Sequence, residues 1–107
     1  MDTVLLREFI AESMPFENAE KGFWKYIATW REDDPGDFFD AFRTMNISSL
    51  HLKKEKIALV IHYRFEDPVE FVTTTLNVML NGRAVAYYHY LQKLDGEVKD
   101  DVLEFFK

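Results

Sequence analysis

Residues 87–90 read Tyr-Tyr-His-Tyr, three phenols and an imidazole that could donate, accept or relay protons. His89 is one of three histidines, with His51 and His62, so acid–base work and metal ligation are the first chemistries to weigh. Spacing disfavours the metal. With "KKEK" as a hairpin turn His51 and His62 can share the outer face, but their rows lie four residues, about 13 Å, apart along the strand, whereas two imidazoles must each approach one metal to about 2.1 Å. His89 is expected to point the other way. The chain has no cysteine, hence no thiolate ligand, thiol nucleophile or disulfide. Neither a metal nor a cofactor is expected.

The remaining reactive types are weaker still. Ser48 and Ser49 lack the strand–turn–helix context of an activated serine. Acids crowd into "REDDPGDFFD" (Glu32, Asp33, Asp34, Asp37, Asp40) and into "DGEVKDDVLE" (Asp95, Glu97, Asp100, Asp101, Glu104), without the ligand spacing of a calcium loop. They read as a solvated helix entry and a turn, or as an acidic surface for a basic partner. Thirteen basic against nineteen acidic residues leave a net charge of −6, which argues against direct contact with nucleic acid or anionic lipid.

Residues 1–107 read as one domain, helical over 1–45 and sheet-forming over 46–107. Leu6, Ile10 and Met14 step by four until Pro15 stops the run. Asn18 is a candidate cap for a second helix carrying Phe23, Ile27 and Trp30, with Gly22 an unfavourable residue inside it. Asp34, Pro35 and Asp37 signal a third helix bearing Phe38 and Phe42. After Met45 the apolar period becomes two. Ile47–Leu52 reads as an edge strand, "KKEK" (Lys53, Lys54, Lys56) as a hairpin turn, and "KIALVIHYRF" and "FVTTTLNVML" as strands. Asn81-Gly82 is the strongest hairpin signal and Asp95-Gly96 a second. Residues 97–106 suit a strand or a short helix equally. The fold class is α+β, with two to three helices on one face of a four- to five-stranded antiparallel meander. That layout is similar to small cone-shaped domains of the cystatin or nuclear transport factor type, by architecture alone and with no shared motif.

A two-residue turn at Asn81-Gly82 sets the register. Leu80 is expected opposite Arg83, Val78 opposite Val85, Leu76 opposite Tyr87, Thr74 opposite His89 and Val72 opposite Leu91. With residues 66–69 as the preceding loop, Ile57, Leu59, Ile61 and Tyr63 join Val78, Leu76, Thr74 and Val72. This nearly apolar side is assigned to the helices, with Phe23, Ile27, Phe38 and Phe42 packed on Leu59, Leu76 and Val78.

Two functions compete on these faces. The favoured one is a small acidic interaction module, non-enzymatic and of regulator or inhibitor type. It would use Tyr88, Tyr90, His62, Thr73, Thr75 and Arg64 on the open face for a homodimer or a protein partner. The alternative is a small-molecule or catalytic pocket under the helices, lined by Tyr63, Thr74, Tyr87 and His89. A cytoplasmic location is expected, because the charges at Asp2, Arg7 and Glu8 do not suit a secretory leader. No apolar run approaches the length of a membrane span.

Overall fold

Proline and side-chain caps dictate where the helices begin. A computed structural model describes residues 4–64 and 66–106; Asp2, which bore on the leader expectation, lies outside them. Pro15 both ends α1 (Val4–Ser13) and opens α2 (Pro15–Asp33), since a first-turn residue needs no N–H partner. Met14 between them takes a left-handed φ of 44°. Asn18 is therefore not the cap. It sits in the first turn of α2, and its Nδ2 donates to the Ser13 carbonyl at 2.6 Å, tying the two helices together. Asp34 caps α3 (Pro35–Phe42) by accepting the Asp37 backbone N–H at 3.2 Å.

Four antiparallel strands follow in the order β1 (Leu50–His62), β2 (Val69–Leu80), β3 (Arg83–Gln92) and β4 (Val98–Phe105). The fold is α+β, with three N-terminal helices on a four-stranded meander. Two expectations about the first hairpin are corrected. Residues 47–49 form a single 3-10 turn capped by Asn46, and "KKEK" lies inside β1, with Glu55 as one extra residue between Lys54 and Lys56. That segment lacks the Gly, Asn or Asp that a tight turn requires, while lysines suit an exposed edge strand.

The loop between β1 and β2 spans residues 63–68 rather than 66–69, so Ile57 pairs with Thr74 and Leu59 with Val72. The slip is four residues, an even number, and faces survive it. Partners do not. This end of the hairpin overhangs the helices, leaving Leu59 46% and Ile61 43% exposed on the side expected to be core.

The decisive correction lies in β3. Asn81 and Gly82 adopt the positive φ values of a type I′ turn (52° and 78°), and Leu80 faces Arg83 as expected. One pair later Val85 is extra, so Val78 meets Ala86, Leu76 meets Tyr88 and Thr74 meets Tyr90. A one-residue bulge sends every later side chain of the strand to the other face. Tyr88 and Tyr90 are buried beneath α2, and Tyr87 and His89 face outward.

The core is aromatic. Phe23, Ile27, Phe38 and Phe42 pack with Leu76 and Val78, as expected, and with Leu50, Ala86 and Tyr88. Trp30 packs edge-on or tilted against Phe38, Phe42 and Phe105 at 5.3, 5.7 and 6.1 Å. Gly22 explains itself here. A Cβ at that position would lie 2.8 Å from the Tyr88 hydroxyl and 2.9 Å from the Tyr90 ring, so α2 approaches the sheet only where it has no side chain.

Candidate functional site

The helices occupy one side of the sheet, and the other side is laid out by strand alternation. Pairing fixes its rows: Lys53–Asn77–Tyr87–Glu104, then Lys56–Thr75–His89–Val102, then Ala58–Thr73–Leu91–Asp100. Its centre, on β2 and β3, mixes Asn77, Thr75, Thr73 and His89 with Tyr87 and Leu91. Tyr87 meets Phe106 edge to face at 4.7 Å, and Val102 and Phe106 are 44% and 41% exposed. Its flanks differ in sign: the β1 edge carries Lys53 and Lys56, the β4 edge Glu104 and Asp100. Lys99, beside Asp100, lies over the Phe71 ring at 4.7 Å.

In the middle of this face the Thr75 hydroxyl stands 3.0 Å from His89 Nδ1, and His89 Nε2 stands 3.5 Å from a Glu104 carboxylate oxygen. With Nε2 protonated toward Glu104, Nδ1 accepts from Thr75, an order of groups that resembles a nucleophile relay. Burial decides against that use. Thr75 is 1% exposed, so its oxygen has no space to attack a substrate. The contacts fix the imidazole on the face instead.

Of the interaction residues read from the sequence, His62, Thr73 and Thr75 do lie on this open side, and Arg64 follows it in the exposed loop. Tyr88 and Tyr90 do not; the bulge at Val85 has turned them into the core. The alternative pocket is dispersed as well. Tyr63 is 74% exposed in the loop, Thr74 is fully buried, and Tyr87 and His89 are on the far side of the sheet. Among the described residues no group of three or more His, Asp or Glu side chains could hold a metal ion, and no helix is long and apolar enough to cross a membrane.

The helix-covered side has a concavity of its own, a cleft of about 810 Å³ between α2, the first turn of α3 and the β4 edge. Tyr26, Trp30 and Tyr90 form its walls, and Asp33, Asp37 and Asp101 its acidic groups. Asp101 occupies an inward position of β4 and accepts the Tyr88 hydroxyl at 2.7 Å, while Asp37 accepts the Trp30 indole N–H at 3.0 Å. Burial, helped by the hydrogen bond and charge of Asp101, pushes the Tyr88 phenol far above its ordinary range. Burial and the same carboxylate also raise Tyr26 and Tyr90, so all three phenols stay neutral.

Sequence reading left Val102 unremarked and grouped Glu104 and Asp101 in one acidic cluster, whereas β4 puts Glu104 on the open face and Asp101 in the cleft. Placing β4 as a strand would have exposed their alternation. Gly22 was a signal for the cleft, because a glycine costing helix stability in the middle of α2 implies a close approach. No protein-family model matches this chain, and neither a curated protein nor a solved structure shows significant similarity to it.

Proposed function

We propose that this protein is a non-enzymatic interaction module whose contact surface is the open sheet face, and that it self-associates there as a two-fold dimer. The carrying observation is the layout of that face: Lys53 and Lys56 on the β1 edge, Tyr87, His89 and Leu91 on β3, and Glu104, Val102 and Asp100 on β4. A two-fold axis parallel to the strands sets β1 of one protomer over β4 of its partner, and isologous contacts of this kind close. Row by row, Lys53 then meets Glu104 of the second copy and Tyr87 meets Asn77, while Lys56 meets Val102 and Ala58 meets Asp100. An axis across the strands would stack β1 on β1 and oppose like charges.

Area supports a dimer of modest strength. Four strands about 4.8 Å apart and roughly 25 Å long give on the order of 500 Å² of flat face per protomer. Doubled, this lies at the lower limit of specific interfaces, so the whole face must participate. Regulation or inhibition of a further protein partner would use the same surface.

Light scattering and sedimentation over a concentration series test this reading. The measurements run at physiological salt, where repulsion between protomers of net charge −6 is screened beyond about 8 Å. A concentration-dependent dimer is expected. Tyr87→Ser with Val102→Ser should abolish it while circular dichroism stays native. Lys53→Glu and Glu104→Lys should each weaken it, and the double swap should restore it. A strictly monomeric wild type at millimolar concentration, or a double swap no better than either single change, would remove the proposal.

A further inference from the structure

The cleft between α2 and β4 is a second surface, independent of the open face, and its chemistry is specific. Tyr26 and Trp30 line it, packed edge to face with ring centroids 6.4 Å apart and planes at 82°, so that they meet at a corner. Tyr90 lines it from the sheet side. Three carboxylates share the cleft with one lysine, Lys25, so the local balance is negative. We propose that this cleft is a binding site for a small organic ammonium ion, held against Tyr26, Trp30 and Tyr90 and neutralised by Asp33, Asp37 and Asp101.

Four considerations select that ligand class. Aromatic ring faces attract cations and gain most where water is thinned, as in a partly buried corner. An anionic ligand would meet three carboxylates at close range. A neutral apolar ligand would strip water from those carboxylates and return no partner for them. A bare metal ion is disfavoured because the acids do not gather into a set of three ligands, and about 810 Å³ is the size of site that holds a whole organic molecule. Lys25 bears the ligand's sign, but its side chain is exposed and long enough to turn toward solvent.

The packing around the cleft keeps the corner in place before any ligand arrives. Trp30 is anchored by its indole N–H to Asp37 and by its ring to Phe38 and Phe42. Asp101 is held by the Tyr88 hydroxyl, which in turn rests beside Gly22. A site whose walls are fixed by the core loses little ordering entropy on binding.

The test is titration of the intact chain with choline, read on the Trp30 indole N–H signal by NMR, beside the uncharged carbon isostere dimethylbutanol. A saturable shift with a dissociation constant at or below about 1 mM is expected for choline, and none for the isostere. Asp101→Asn should weaken binding about tenfold or more, the size of a desolvated charge contact. Because that change also touches the Tyr88 hydrogen bond, exposed Asp33→Asn provides a second variant that removes charge without touching the core. It should weaken choline binding while leaving the melting temperature unchanged. Tyr87→Ser with Val102→Ser, on the opposite face, should bind choline normally, which separates this site from the dimer surface. The proposal is overturned by a Trp30 signal unmoved at about 10 mM choline, well above that limit. Equal binding of the isostere, or unchanged affinity in both aspartate variants, would overturn it too.

Discussion

At the scale of single residues, Tyr88 joins the largest number of physical effects. Its ring packs edge-on against Phe23 at 5.4 Å, and its hydroxyl donates to Asp101 from a fully buried position. The folded state keeps a proton that the unfolded chain releases near pH 10. The raised phenol therefore contributes its full stability below about pH 10 and loses it as pH rises further, at about 1.4 kcal/mol per pH unit. Tyr88→Phe should cost about 1 kcal/mol at neutral pH for the lost hydrogen bond and should flatten the alkaline limb. Denaturant titrations from about pH 9 to about pH 11 would measure both, spanning the range where a free phenol titrates. The slope should fall rather than vanish, because Tyr26 and Tyr90 are raised as well. Gly22 is the counterpart on α2. Alanine there gains about 1 kcal/mol of helix propensity, but its Cβ would press on a hydroxyl held by Asp101 and on a packed ring. Overpacking of that kind costs about 1–3 kcal/mol. A lower melting temperature for Gly22→Ala is expected, against the usual direction for an exposed helix.

At the scale of elements, the two ends of the sheet are unequally covered. Phe42 is 2% exposed and touches Phe38 and Phe105 at 5.0 and 5.1 Å, so it ties α3 to β4. Phe42→Ala should cost about 3–5 kcal/mol in a denaturant series. A loss below about 1 kcal/mol would place it outside the core. The outer end of the β1–β2 hairpin has ladder pairs but no helix above Leu59 and Ile61. Backbone amides of Ile57–Ile61 should exchange with deuterium at least tenfold faster than those of Leu76–Val78, since local opening there exposes little buried surface. Equal protection at both ends would count against this unequal coverage.

At the scale of the whole molecule, the layering separates two surfaces with different chemistry. The open face is flat, with opposite charges on opposite edges, which suits a partner of matching layout. On the helix side, the cleft where α2 leaves the β4 edge has aromatic walls and negative charges. Both readings use acidic residues from the two clusters of the sequence: Asp33, Asp37 and Asp101 in the cleft, Asp100 and Glu104 on the open face. Asp33 and Asp37 enter the cleft, whereas Asp34 only caps α3.

The helical half, the meander and the starts of the well-signalled elements were legible in the amino-acid pattern alone. Pro15, Asp34-Pro35 and Asn81-Gly82 act through local backbone geometry, which their neighbours can barely alter. The pattern also identified Phe23, Ile27, Phe38 and Phe42 as core, because a 3.6-residue stripe places them on one side whatever lies opposite. Which faces β3 presents depended instead on long-range packing. A bulge costs little locally and leaves no mark in the alternation of Val85, Tyr87 and His89. What selects it is remote: Tyr88 and Tyr90 fit inward against Gly22, and the Tyr88 hydroxyl finds Asp101, thirteen residues further along the chain. The candidate sites follow from that one inserted residue, and so they were settled by packing rather than by pattern.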